Sequence, residues 1–244
     1  MTPFGLLVRS SSDRCFGQKF KFSLDSLAFG DTTMRGMNSS NWDAVIFDYG
    51  GVLCYPPTRE DVAEYARSSG LDHELFYKLY SETREYYGRS ADGYAEHWKQ
   101  VAEAAGADFS EEAIAQFIAK ESGLWTRPNE ETLSLARDVR ATGRKIAILS
   151  NMTFDLLYVL RPKFDWLVEF DVQVWSCEHG CAKPDESIYL SCLEALGCES
   201  KRALFFDDRR PNVEGAKRLG IDAHVFESAS QARSIVERGL QLAG

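Results

Sequence analysis

Apolar residues along this chain collect in five short runs, separated by stretches whose apolar positions recur at helical spacing. The runs are Ala44–Phe47, Lys145–Leu149, Val172–Trp175, Ala203–Phe206 and Ala223–Phe226. Runs this short, without polar alternation, suit strands buried on both faces. Helical patterns separate the later runs, at roughly 129–142, 153–160, 185–196, 210–219 and 228–241. They open or close on Pro128-Asn129, Gly143, Pro184-Asp185, Gly197 and Gly220, residue types that start or stop helices. Strands alternating with helices predict a parallel sheet joined by right-handed crossovers.

One interval breaks that rhythm. Between the first run and the second, Arg59 to Lys120 reads as helix and is rich in Ala, Glu and aromatic residues such as Tyr65, Phe76, Trp98 and Phe117. A simple crossover needs only about a dozen residues. A helical domain inserted after the first strand is therefore predicted, with its aromatic stripes forming mainly its own core. The expected fold class is α/β: a Rossmann-like parallel sheet core at 41–53 and 126–244, and an inserted α-helical domain at 54–125. Residues 1–40 mix Ser, Gly, Arg and Lys without a sustained period. They read as a loose extension, dispensable for folding, with Met34 or Met37 as alternative starts. A targeting arm is the functional alternative, and Asp13, Asp25 and Asp31 count against a transit peptide.

Composition narrows the function classes. The net charge of −9 and pI near 5.1 argue against a general nucleic-acid binder. No apolar run is long enough to span a bilayer, and Phe4–Val8 is too short for a secretory core. The six cysteines are scattered, and the one close pair, Cys177 and Cys181, matches no zinc spacing. Reduced thiols in a cytoplasmic protein are the expectation.

In open parallel sheets, ligands bind outside the carboxyl ends of the strands. Asp48 follows the first run, Ser150 and Asn151 the second, and Asp207-Asp208 the fourth; Lys183 stands in "AKPD" just before a helix. These residue types suit phosphoryl transfer. A carboxylate attacks phosphorus and forms an acyl-phosphate that water hydrolyses. Mg²⁺ prefers hard oxygen ligands, here Asp48, Asp208 and the Gly50 carbonyl. Lys183, Ser150 and backbone N–H groups would neutralise the phosphoryl oxygens.

Four segments in order, "VIFDYGGVL", "IAILSN", "KPD" and "LFFDDRRPN", resemble the haloacid dehalogenase-like hydrolase superfamily. The insertion after the first, and the acid pair followed by Asn212, resemble its helical-cap subgroup, which includes sugar phosphatases and the epoxide hydrolase N-terminal phosphatase domain. The resemblance implies Asp48 as nucleophile, Ser150 and Asn151 as phosphoryl-binding residues, and Lys183 as the group that orients the nucleophile. It also implies a Mg²⁺ site at Asp48, Gly50 and Asp208, with Asp207 beside it, and a small-molecule phosphate ester as substrate. One departure stands out. Many phosphatases of this family carry a second Asp two residues after the nucleophile, as general acid–base; here that residue is Gly50. Three readings follow: a phosphatase that manages without that acid, a 2-haloacid dehalogenase-type C–X hydrolase, or a non-catalytic binding protein. The dehalogenases resemble Ser-Ser-Asn at the last segment, which weakens the second reading. His179 is a candidate substitute acid, and Arg84 and Arg89 are candidate contacts for a substrate anion.

Overall fold

The computed structural model describes residues 42–72, 74–76, 78 and 93–241. Residues 1–40, Arg84 and Arg89 lie outside the described residues. Five strands, β1 (Ala44–Phe47), β2 (Lys145–Ser150), β3 (Val172–Trp175), β4 (Ala203–Asp207) and β5 (Asp222–Val225), form one sheet in the order β3-β2-β1-β4-β5. Every pairing is parallel. All five apolar runs are thus strands. The last begins one residue earlier than its apolar run because Asp222 pairs with Leu204 at the sheet edge, while Phe226 has left the ladder.

The period of two along a strand sorts the core into two layers. Val45, Phe47, Ile146, Ile148, Leu204 and Phe206 point to one face, where they meet α4 (Glu130–Ala141), α5 (Phe154–Lys163) and α9 (Ala229–Gln241). Ala44, Ile46, Ala147, Leu149 and Phe205 point to the other, against α7 (Glu186–Leu196) and α8 (Arg210–Arg218). Both faces are covered, which is why the strands carry continuous apolar runs. Burying each large aliphatic or aromatic side chain stabilises the fold by roughly 1.5–3 kcal/mol.

Among the described residues, α1 (Arg59–Ser69), α2 (Gly93–Ala105) and α3 (Glu111–Leu124) lie between β1 and α4. They bury an aromatic cluster of their own, with Trp98 packed on Tyr65, Phe76 and Phe117, the last at 4.6 Å between ring centroids. A capping box of Thr58 and Asp61 starts α1, and Ser110 caps α3. The chain leaves and rejoins the sheet side by side. Tyr55 N–H donates to the Arg127 carbonyl at 2.8 Å, and Asn129 N–H to that of Leu53 at 2.9 Å.

Two helices depart from the pattern expected above. Pro162 argues for a stop near residue 160, yet α5 runs to Lys163. Pro162 lies in the last turn, where few helical bonds remain to be lost, and Phe164 N–H still reaches the Leu160 carbonyl at 3.0 Å. A single turn, α6 (Ser176–His179), follows β3; four residues are too few to show a period.

Gly51 forms the turn after β1 at φ +79°, a conformation that favours glycine. A Cβ there would also run into the Asp208 carboxylate, with Cγ only 2.6 Å away. Gly51→Ala is therefore expected to destabilise the protein by about 1–3 kcal/mol, measured by chemical denaturation. A smaller change than that would show that the turn tolerates a side chain.

Candidate active site

β1 sits at the switch point of the sheet, with β2 on one side and β4 on the other. The crevice outside the carboxyl ends of these strands gathers the predicted side chains. Asp48 extends β1 by one residue, its N–H donating to the Phe206 carbonyl at 2.9 Å. Its carboxyl oxygen Oδ1 accepts from the Tyr49 N–H at 2.7 Å and from Lys183 Nζ at 2.9 Å. Among the described residues both donors fall on Oδ1, which leaves Oδ2 open.

Lys183 is fully buried, and the three N–H donors of its ammonium meet three acceptors. These are Asp48 Oδ1, Asp207 Oδ2 at 2.6 Å and the Leu149 carbonyl at 2.8 Å. Asp207 is held from all sides. Oδ1 accepts from the Arg209 N–H at 2.8 Å, and Asn212 Nδ2 spans both oxygens at 3.0 and 3.1 Å. Tyr189 in turn donates its hydroxyl to the Asn212 carbonyl at 2.8 Å.

Asn151, expected to face a phosphoryl group, turns its side chain onto Lys183. Nδ2 donates to the Lys183 carbonyl at 2.9 Å, and the Lys183 N–H donates to Oδ1 at 2.8 Å. A primary amide carries one donor and one acceptor group, and the backbone of one residue presents the complementary pair. Ser150 ends β2 buried beside Trp175. Asp208 is exposed at the mouth, and oxygens of Asp48, Asp207 and Asp208 lie within 4.8 Å of one another. His179 stands exposed at the end of α6.

The electrostatics follow from three carboxylates against one ammonium. Burial pushes the Asp48 carboxyl up to about 7 despite Lys183, and Asp207 adds to the rise. Partial desolvation of its carboxyl group raises Asp208, although the residue as a whole is exposed, and Asp207 again contributes. Burial alone would lower Lys183; Asp207 and Asp48 more than offset it and hold the ammonium above the ordinary lysine value.

Gly50 has its own explanation, distinct from that of Gly51. Its φ is not in the left-handed region, so backbone strain does not exclude a side chain. Space there is tight: a Cβ would stand 3.1 Å from Cζ3 of Trp125, the residue that caps the C-terminus of α3, so the indole would have to give by a few tenths of an ångström to admit one. Trp125 escaped the sequence reading because it is 75 positions away and belongs to no spaced pattern.

The model of the haloacid dehalogenase-like hydrolases matches residues 42–220, and the chain belongs to that family. It is 34% identical over 110 residues to phosphatase MT3486 of Mycobacterium tuberculosis, across 44% of this chain and 50% of that protein. The chain thus spans about half the length of that relative. It is 26% identical to the sesquiterpene phosphatase astK of Aspergillus oryzae, across 78% of this chain and 92% of the relative. Among solved structures, a family enzyme from Bacteroides thetaiotaomicron, BT-2542, crystallised with magnesium and inorganic phosphate, shares the fold at a TM-score of 0.61 and 22% identity. That match covers 76% of this chain and 94% of the other. No described helix is long and apolar enough to cross a membrane.

Proposed function

We propose that this hydrolase is a Mg²⁺-dependent phosphomonoesterase acting on a small phosphorylated molecule through an aspartyl-phosphate at Asp48. The observation that carries this reading is the asymmetry of Asp48: Oδ1 is pinned by Lys183 and the Tyr49 N–H, while Oδ2 is open. In the proposed reaction Oδ2 attacks phosphorus, and the bond from phosphorus to the ester oxygen breaks. The Ser150 hydroxyl at the end of β2 donates to a phosphoryl oxygen, and Lys183 holds the attacking carboxylate in one orientation. Water then attacks the acyl-phosphate and releases inorganic phosphate, restoring the Asp48 carboxylate.

The donor set fits a hard divalent cation. Three clustered carboxylates and one ammonium leave a surplus of two negative charges when all are ionised. Asp48, Asp208 and the Gly50 carbonyl would hold Mg²⁺. Asp207, with four hydrogen bonds already in place, is assigned to anchoring Lys183, so its place beside the metal is as a neighbour. Bound Mg²⁺ would neutralise charge developing on the phosphoryl oxygens. The segment 54–125 is assigned as the cap that selects the substrate. The five described cysteines are free thiols, in keeping with a reducing compartment such as the cytoplasm.

No side chain at position 50 can protonate the leaving oxygen, and such an acid ordinarily contributes about 10²–10⁴ in rate. Aryl phosphates, which leave as stabilised anions, should therefore turn over far faster than alkyl phosphates. Steady-state kinetics of the full chain across a series of esters, with and without Mg²⁺, tests the reading. A flat dependence on leaving-group acidity would point to another acid, with His179 the first to replace. No turnover of any ester would overturn the phosphatase assignment and favour the dehalogenase-type or binding role.

A further inference from the structure

We infer that the Trp125 indole is the specificity-determining wall of the leaving-group site, and that the substrate is a phosphate ester whose alcohol carries a planar apolar group. This inference deepens the phosphatase reading and rests on it for the orientation of the ester.

Gly50 lies two residues from Asp48 and so within about 7 Å of it along the chain. The edge of the indole six-membered ring lies against the side of Gly50 where a Cβ would project, at 3.1 Å for Cζ3, 3.6 Å for Cε3 and 3.9 Å for Cη2. The space beside the nucleophile that a polar side chain would fill is thus bounded by an apolar aromatic edge. Trp125 is fixed there by its backbone. Its carbonyl accepts from the Tyr49 hydroxyl at 2.7 Å and from the Cys54 thiol at 3.1 Å. Tyr49 is the residue next to the nucleophile and is itself stacked on Trp166. The wall is therefore tied to the same turn that positions Asp48, and Trp125 as a residue is half-buried.

A second aromatic stands at the same end of the sheet. Phe154 opens α5 four residues after Ser150 and is 42% exposed. The helix that Trp125 caps packs against α5. A large aromatic left exposed costs free energy in water and gains it when an apolar group covers it. A leaving group made only of hydroxyls would leave the Trp125 edge beside Gly50 uncompensated. A planar apolar group packs on them, and it is also the kind of alcohol that departs without a general acid when it is aryl.

The test is calorimetric titration of the full chain, loaded with Mg²⁺, against benzylphosphonate and methylphosphonate, two probes that are not hydrolysed. The wild type should bind benzylphosphonate about tenfold more tightly than methylphosphonate. Trp125→Ala should bring the ratio to within about twofold, Trp125→Phe should keep most of it, and Trp125→Leu should fall between. If Trp125→Ala does not fold, the leucine variant carries the comparison. A wild-type ratio near one, no binding of either probe, an unchanged ratio in a folded Trp125→Ala, or equal weakening of both probes would each overturn the wall. Failure of the phosphatase reading looks different. The phosphonate ratio would respond to Trp125 as stated while no ester is hydrolysed. Turnover without any aromatic preference would overturn the wall and leave the phosphatase reading standing.

Discussion

Replacing Lys183 by methionine is expected to cost about 3–5 kcal/mol of stability in the metal-free protein, the range for removing one partner of a buried ion pair. The side chain is fully buried. Its loss leaves Asp48 and Asp207 facing each other and the Leu149 carbonyl without that donor. For a protein of this size the melting temperature should fall by roughly 10 °C. The deficit should shrink in acid. Without the ammonium, the carboxylates hold their protons to higher pH in the folded state than in the unfolded chain. The folded variant then binds more protons, and its stability rises as pH falls from 7 towards 4. Added Mg²⁺ should restore part of the loss by binding the folded form alone. Denaturant melts of EDTA-treated protein at two pH values measure both effects. A change under about 1 kcal/mol would mean that Lys183 does not compensate the buried charge.

The same residues show what a sequence can disclose about such a site. The five strands are legible because a sheet covered on both faces needs continuous apolar runs, and each run is punctuated by helix signals. The positions of Asp48, Ser150, Asp207 and Asp208 follow from where those runs end. The partner of each side chain does not. Asn151 has the composition to bind an anion, but its amide is claimed by the backbone of Lys183, 32 positions away, and only the folded loop brings the two together. Asp207 and Asp208 are adjacent in sequence and chemically identical. The alternation of the strand end buries the first against Lys183 and Asn212 and leaves the second exposed at the mouth. Gly50 and Gly51 likewise read as one pair. Gly51 answers to a left-handed turn and the close approach of Asp208, whereas Gly50 lies against an indole from the far end of the insertion. Local pattern encodes elements and their ends; contacts between distant loops are set by packing that no short period records.

Asp48→Asn should separate activity from stability in the opposite sense. As the proposed nucleophile, Asp48 has no substitute: an amide oxygen does not form the acyl-phosphate, and hydrolysis of every ester should fall by at least about 10³-fold, in keeping with loss of a covalent step. The fold should not suffer. Asparagine keeps an oxygen to accept from the Tyr49 N–H and Lys183, and Lys183 retains Asp207 and the Leu149 carbonyl. It also removes a charge that burial disfavours, since the Asp48 carboxyl is raised to about 7 in the folded protein against about 3.9 in an unfolded chain. The folded wild type holds the proton that the unfolded chain has released, so without metal it loses stability as pH climbs from 4 through 7. The variant lacks that slope. If the two proteins melt close together at pH 5, the metal-free variant should be the more stable at pH 8 by roughly 2–3 kcal/mol, the trade between function and stability that active sites commonly show. Saturating Mg²⁺ should close or reverse the gap, because the cation binds the ionised Asp48 of the wild type more tightly than an amide. Paired melting curves with EDTA and with Mg²⁺ read all of this. A variant that is less stable than wild type at pH 8 without metal would show that the ionised carboxylate holds the site together, and that Lys183 compensates its burial in full.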